Sequence, residues 1–394
     1  MLTRMLSAAV LLSVVSAGGA SGPGAHGYAM PGGAAAQLVT DLRDAREITR
    51  GDDVTVALLS SAVDPDVSGL SGKVTIGPDY VNLAGPARDS GTAIAEGIAG
   101  DGPSPGNPLN RLGIAPGARI LAIRVVADGN EAGAQQFNDS APIAGLLARG
   151  IRYAVDHNAG VVYIGWLPSG PDSAALESAV SYALSRNVIV ACLAVDTSEG
   201  FAGRSGVPAG VPGVIAAGMV TLSGFPAPYE QVSSDTAQNN TVQVAVPDNT
   251  LRELGPGDVR AGWDGYVAGG AWLAGTLALI KSAYPFLTPA QVEQALALSA
   301  RYHPPGGYST TVGFGLIDPY GALTEAGLLA LQPKPPASAG LPASAHFGTG
   351  PAPGPVVAAP RQAARAAAFG ALTAFGATLL YAAYLLTRRR RPAR

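Results

Sequence analysis

The sequence predicts an α/β domain: a mostly parallel central sheet with helices on both faces. Two observations carry this. Five short runs rich in β-branched residues are apolar almost without interruption, as strands covered on both faces must be. Between them lie segments with helical spacing, and alternation of strand and helix builds a parallel sheet because each crossover carries the chain back to the same edge. A chain of 394 residues, 47% hydrophobic and 13% charged, has the material for such a core and does not have the composition of a disordered chain.

The elements follow in order. "MLTRMLSAAVLLSVVSAGGASG" joins a basic Arg4 to a short apolar run, Leu6 to Val15, and then to small residues. This is the pattern of a secretory signal peptide, placed at residues 1–20, and its apolar run is short for a membrane span. Residues 21–45 read as a Gly/Ala-rich lead-in. The domain is placed at 46–330. Its strand candidates are "VTVALLS", "RILAIRVV", "GVVYIGW", "VIVACLAV" and "GVIAAGMV". Its helix candidates are "GTAIAEGIAG", "APIAGLLARGIRYAVDHN", "SAALESAVSYALSRN" and "VAGGAWLAGTLALI". In the third of these, Ala175, Ala179, Tyr182 and Ala183 share one small apolar face.

Beyond the domain the composition changes. Residues 331–362 are rich in Pro, Ala and Gly with almost no charge, which predicts a semi-extended linker. A transmembrane helix is placed at 363–387. Its core, Ala366 to Leu386, has no charged residue and would extend roughly 30 Å as a helix, the thickness of a bilayer's hydrocarbon. Tyr381 and Tyr384 lie near one end of it, and the basic tail 388–394 follows with five arginines. By the positive-inside rule that tail is cytoplasmic, and the leader independently puts the main domain outside. The expected location is therefore the bacterial cytoplasmic membrane, single-pass, with an extracytoplasmic domain.

Charge and cysteine content narrow the function classes. The net charge of −3 gives no electrostatic case for nucleic acid. The single cysteine, Cys192, lies in an apolar run and reads as a small core residue; no disulfide can form within the chain. Asp64 and Asp66 in "VDPDV" read as turn residues, and neither a metal nor a cofactor is expected.

Eight segments in sequence order resemble the subtilisin-like (subtilase) serine peptidases, from about Arg46 to Leu323. They are "GDDVTVALLSSAVDPDV", "DSGTAIAEGIAG", "GIAPGARILAIRVVADG", "ARGIRYAVDHNAGVVYIGW", "NVIVACLAVD", "GVPAGVPGVIAAGMV", "LTPAQVEQALALSA" and "GFGLIDPYGAL". The full layout of leader, subtilase-like domain, Pro-rich linker, membrane helix and basic tail resembles the mycosins, membrane-anchored subtilases of actinobacterial type VII secretion. The resemblance implies a subtilisin-like fold. One departure is that mycosins generally carry disulfides.

The same resemblance assigns positions to the chemistry. A subtilase needs a serine nucleophile, a histidine base and an aspartate that orients the base. The aspartate position is Ser60, the histidine position Ser90 and the serine position Val267. The oxyanion asparagine position is Asp196, preceded by Val195. Tyr266 and Ala271 also depart from the pattern around the nucleophile. Val267 has no heteroatom to form an acyl-enzyme, Ser90 cannot act as a base near neutral pH, and an ionised Asp196 would repel an oxyanion. None of the four histidines replaces the missing base. His26 falls in the lead-in, His346 in the linker, His157 at a helix end and His303 in a loop.

Three functions compete on this reading. The first is a non-catalytic pseudoprotease that binds a peptide or protein partner, among them type VII secretion components, or that stabilises a secretion complex. The second is a working serine endopeptidase; the third, a purely structural ectodomain. Gly165, Trp166 and Leu167 are the candidates for a peptide groove, which accepts an extended chain through backbone pairing and needs no triad.

Overall fold

The computed structural model describes residues 33–102, 112–165, 174–194, 208–221, 231–232, 241–247 and 266–332. Its strands are β1 (Thr55–Ser60), β2 (Val74–Asp79), β3 (Arg119–Arg124), β4 (Val161–Ile164), β5 (Ile189–Leu193), β6 (Val214–Thr221), β7 (Gln231–Val232) and β8 (Val242–Pro247). Its helices are α1 (Ala34–Ile48), α2 (Ser90–Ala99), α3 (Ala134–Ser140), α4 (Ile143–Asp156), α5 (Ala174–Ser185), α6 (Tyr266–Ala283), α7 (Pro289–Ser299) and α8 (Pro319–Ala330). They form the first of two compact units, which ends at Pro333.

The sheet runs in the order β2-β3-β1-β4-β5-β6-β7, with β8 also paired to β6. Every pairing is parallel except that of β6 with β7. All five apolar runs became strands. β2 and β8 lack such a signal: β2 sits at a sheet edge, where Gly77 and Pro78 are tolerated, and β8 carries Gln243 among its valines.

Along β1, side chains alternate between two cores. Val56 and Leu58 join the cluster under α1, α2, α6, α7 and α8, whereas Ala57 and Leu59 join the cluster under α4 and α5. Cys192 lies fully buried in the second cluster, and burial pushes its thiol pKa far above the ordinary value.

The helix α1 falls mostly inside the expected lead-in. Leu38, Leu42 and Ala45 are buried, so the core begins upstream of residue 46. Ion pairs hold it there. Arg301, just past α7, lies 2.8 Å from Asp41 of α1 and 2.8 Å from Asp318, the residue that caps α8. α7 starts with a capping box: the Gln291 N–H donates to the Thr288 hydroxyl at 3.3 Å, and the Thr288 N–H donates back to Gln291 at 3.0 Å.

The most buried helix is α6, in which every residue from Val267 to Lys281 is enclosed. Its glycines are there for close approach. A methyl group at Gly270 would overlap the Tyr163 hydroxyl and lie 2.6 Å from ring carbon Cζ, and one at Gly275 would lie 2.6 Å from Cγ2 of Ile114. Both are closer than a Cβ atom can come, so the helix meets the sheet and the Ile114 loop at backbone distance. Among the described residues, no helix is long and apolar enough to cross a membrane. The expected leader, membrane helix and basic tail lie outside the described residues, as does the expected linker after Gln332.

Candidate functional site

The three positions that the family resemblance assigns, Ser60, Ser90 and Val267, lie where β1 stops and where α2 and α6 start. Ser60 is the last residue of β1 and is buried. Its carbonyl accepts the Val125 N–H at 2.9 Å, which fixes it beside the end of β3. On its other flank, the Gly165 N–H donates to Leu59 at 2.9 Å, and a Cβ on Gly165 would sit 3.0 Å from the Ser60 hydroxyl. Gly165 therefore borders Ser60 with no side chain between them. Trp166, Leu167 and Asp196 lie outside the described residues.

The turn after β1 is stitched to α2. The Gly91 N–H donates to the Ser61 hydroxyl at 2.9 Å. A Cβ on Gly91 would come within 2.5 Å of the Ser61 and Ala62 carbonyls, so only glycine fits beside this turn. This contact holds Ser90, the first residue of α2, at the site. Its hydroxyl lies 3.4 Å from the Tyr266 hydroxyl at the start of α6, and either can be the donor. Tyr266 is exposed, while its neighbour Val267 is buried. The start of α2 thus meets the start of α6 through two hydroxyls, those of Ser90 and Tyr266.

A charged network stands beside the site and holds the start of α2. Arg124, at the end of β3, is buried and pairs with the fully buried Glu131 and with Asp79 at 2.8 Å. Glu131 also accepts the Asp128 N–H at 3.0 Å. Asp128 in turn accepts the N–H groups of Asp89 at 3.0 Å and Ser90 at 3.4 Å, and Asn130 donates to Asp89 at 2.8 Å. Burial raises the pKa of Asp79, but its bonds from Arg124, Asn82 and Val81 outweigh this, so it lies below the ordinary carboxylate value. The signal for this network in the sequence is an arginine closing an apolar strand with an acid seven residues on; a periodicity reading passes over it.

Neither described histidine serves this site. His157, past the C-terminal end of α4, stacks on Tyr153 with ring centroids 3.7 Å apart and lies 2.8 Å from the Tyr153 carbonyl through Nδ1. It precedes β4 and so lies at the opposite end of the sheet from Ser60. The Nδ1 of His303 lies 2.7 Å from the Phe314 carbonyl. Asp64 forms a turn of its own, its side chain accepting the Asp66 N–H at 3.1 Å while its backbone N–H donates to Thr92 at 2.8 Å. The first of these contacts is the local turn that an aspartate two residues before the donor forms.

Comparison with known proteins agrees with this architecture. Residues 51–315 match the model of the Subtilase family (Peptidase S8). The chain is 30% identical to Mycosin-1 of Mycobacterium tuberculosis (strain ATCC 25618 / H37Rv), over 88% of this chain and 82% of that protein. It is 29% identical to Subtilisin NAT of Bacillus subtilis subsp. natto, over 68% of this chain and 65% of that protein. Among solved structures, the MycP3 protease from the type VII (ESX-3) secretion system superposes with a TM-score of 0.57 at 26% identity, covering 73% of this chain and 87% of that one.

Proposed function

This chain belongs to the subtilase family, and from that premise we propose that it is a non-catalytic member: a membrane-anchored, extracytoplasmic pseudoprotease that binds a peptide or protein partner or stabilises a secretion complex. The observation that carries the proposal is the set of residues at the three family positions, Ser60, Ser90 and Val267. Ser60, Ser90 and Val267 themselves provide neither an imidazole to take a proton nor an activated nucleophile to give one. Removing the triad as a unit leaves only the residual catalysis of the oxyanion site, and Asp196 at that position opposes the charge it would have to stabilise. The packing around these positions is close. Gly91 seats the α2 start against the turn after β1, and the glycines of α6 let it lie against the sheet.

Similarity to Mycosin-1 over most of both chains, and to a protease of a type VII secretion system, makes components of such a system the partner class to test first. The test of inactivity is direct. Purified protein is treated with a fluorophosphonate probe and assayed on casein beside an active subtilisin. No labelling and no hydrolysis above buffer are expected, and labelling of any serine overturns the proposal. Anchoring is tested with a reporter fused to the C-terminus, which is expected to be active only on the cytoplasmic side.

A further inference from the structure

The end of the domain opposite Ser60 has a chemistry of its own. It is the edge from which the parallel strands start and at which the central helices finish. Five contacts bring its parts together. The Ser282 hydroxyl, near the end of α6, donates to the Asp52 carbonyl ahead of β1 and lies 2.8 Å from the Thr49 hydroxyl just past α1, both at 2.8 Å. The Lys281 ammonium donates to the carbonyls of Asn187, just ahead of β5, and of Pro285. A Cβ on Gly327 of α8 would meet the Tyr284 hydroxyl at 2.7 Å, so α8 also finishes here.

Four large apolar side chains project from this end: Ile48 (49% exposed), Phe286 (69%), Leu328 (54%) and Leu331 (83%). Ile48 closes α1, Leu328 lies in the last turn of α8, and Phe286 and Leu331 stand just beyond α6 and α8. Leu328 and Leu331 are one helical turn apart and share a face. Beside Phe286 opens a cleft of about 360 Å³, reaching from Pro285 to Asp53 and Arg186, so the apolar tips are bordered by a polar recess carrying both charge signs. Isolated exposed leucines need no explanation, but four apolar tips at one end with a polar border do.

The chain itself says what covers them. It leaves the domain immediately after Leu331, at this end, and the charge-free run Ala366 to Leu386 begins 35 residues later. If that run is the anchor, as the proposed function holds, the end carrying these residues is the one tethered near a lipid surface, at an effective concentration that makes a weak contact count. We infer that this end of the domain docks on the bilayer surface, with Phe286, Ile48, Leu328 and Leu331 in the headgroup boundary, and that the degenerate site therefore faces away from the membrane. Insertion of a few apolar side chains beside polar neighbours is how interfacial segments bind lipid, and it is reversible. The β1 strand alone sets the two ends apart by roughly 17 Å, which exceeds the depth of such insertion.

The experiment uses the full chain in vesicles of phosphatidylethanolamine and phosphatidylglycerol containing a lipid with a shallow nitroxide. Because Cys192 is buried, an environment-sensitive thiol label goes only to the introduced cysteine in the variants Phe286→Cys, Leu331→Cys and Asn130→Cys. Asn130 is exposed and bonded to Asp89 beside the degenerate site, so it reports the other end. Labels on Phe286→Cys and Leu331→Cys are expected to lose about half their emission or more to the nitroxide lipid, and the label on Asn130→Cys to keep its own. If all three keep their emission while the protein floats with the vesicles, docking is overturned and anchoring stands. Shielding of the first two labels from aqueous iodide without lipid quenching means a protein covers this end, which also overturns it, as does quenching at Asn130→Cys. Failure to float overturns the anchored reading and the docking together.

Discussion

Replacing Arg124 by methionine tests whether the charged network beside Ser90 is a structural element. The Arg124 side chain is 5% exposed and that of Glu131 not at all, while Asp79, the third member, is 44% exposed. Loss of the guanidinium leaves the Glu131 carboxylate enclosed with the Asp128 N–H as its remaining described donor. Breaking a buried pair by removing one partner costs about 3–5 kcal/mol, a large part of the 5–15 kcal/mol that holds a typical domain folded. Asp79→Asn removes only a half-exposed acceptor and is expected to cost ~1 kcal/mol or less. The double variant Arg124→Met with Glu131→Gln removes both charges, keeps a carbonyl oxygen for the Asp128 N–H, and is expected to recover most of the loss. Urea unfolding followed by tryptophan fluorescence, for which Trp272 in the core of α6 is a reporter, measures all four proteins. Because Asp128 accepts the Ser90 N–H, amide exchange at the start of α2 should accelerate in Arg124→Met as well. An Arg124→Met variant no weaker than Asp79→Asn, or a double variant no better than the single, would refute the assignment of this network as the holder of α2.

Further expectations are independent of that network. Gly270→Ala should destabilise by about 1–3 kcal/mol in thermal or urea unfolding, because Tyr163 is fully buried and has no free space to retreat into, even though alanine favours a helix intrinsically; a stabilised variant would mean that α6 does not lie against β4 as described. Burial lowers the Lys281 pKa to about 8, so the folded state disfavours its charge: stability contributed by this group is full above pH ~10.5 and is lost as pH falls through 8. The stability difference between the native chain and Lys281→Met should therefore shift in favour of the native chain from pH 8 to 10, and a flat difference would remove this coupling. Val267→Ser alone should remain unlabelled by fluorophosphonate, since Ser90 cannot take its proton; adding Ser60→Asp, Ser90→His and Asp196→Asn should fold and label slowly. Labelling of the single variant would reveal a base that the site as described does not contain.

What the sequence by itself determined is the periodic part of the molecule. Runs such as Val188 to Val195 and Val54 to Ser60 are apolar on both faces, and a strand between two layers of helices is what such a run can become. The proposal of inactivity also rests on the sequence, because valine carries no titratable group in any surroundings and a serine hydroxyl is no base near neutral pH. Tertiary structure decided what depends on partners distant in sequence. The helix α1 reads as a lead-in until Asp41 meets Arg301, 260 positions away, and its leucines find the core. β2 and β8 carry interrupted patterns because an edge, or a position flanked by other supports, tolerates Pro78 and Gln243 where a central strand would not. Arg124, Glu131 and Asp128 look like surface residues in the sequence. Arg124 and Glu131 are buried because their charges meet, and Asp128 because the α2 start needs acceptors for its N–H groups, a requirement that exists only once that helix has been carried to the end of β1.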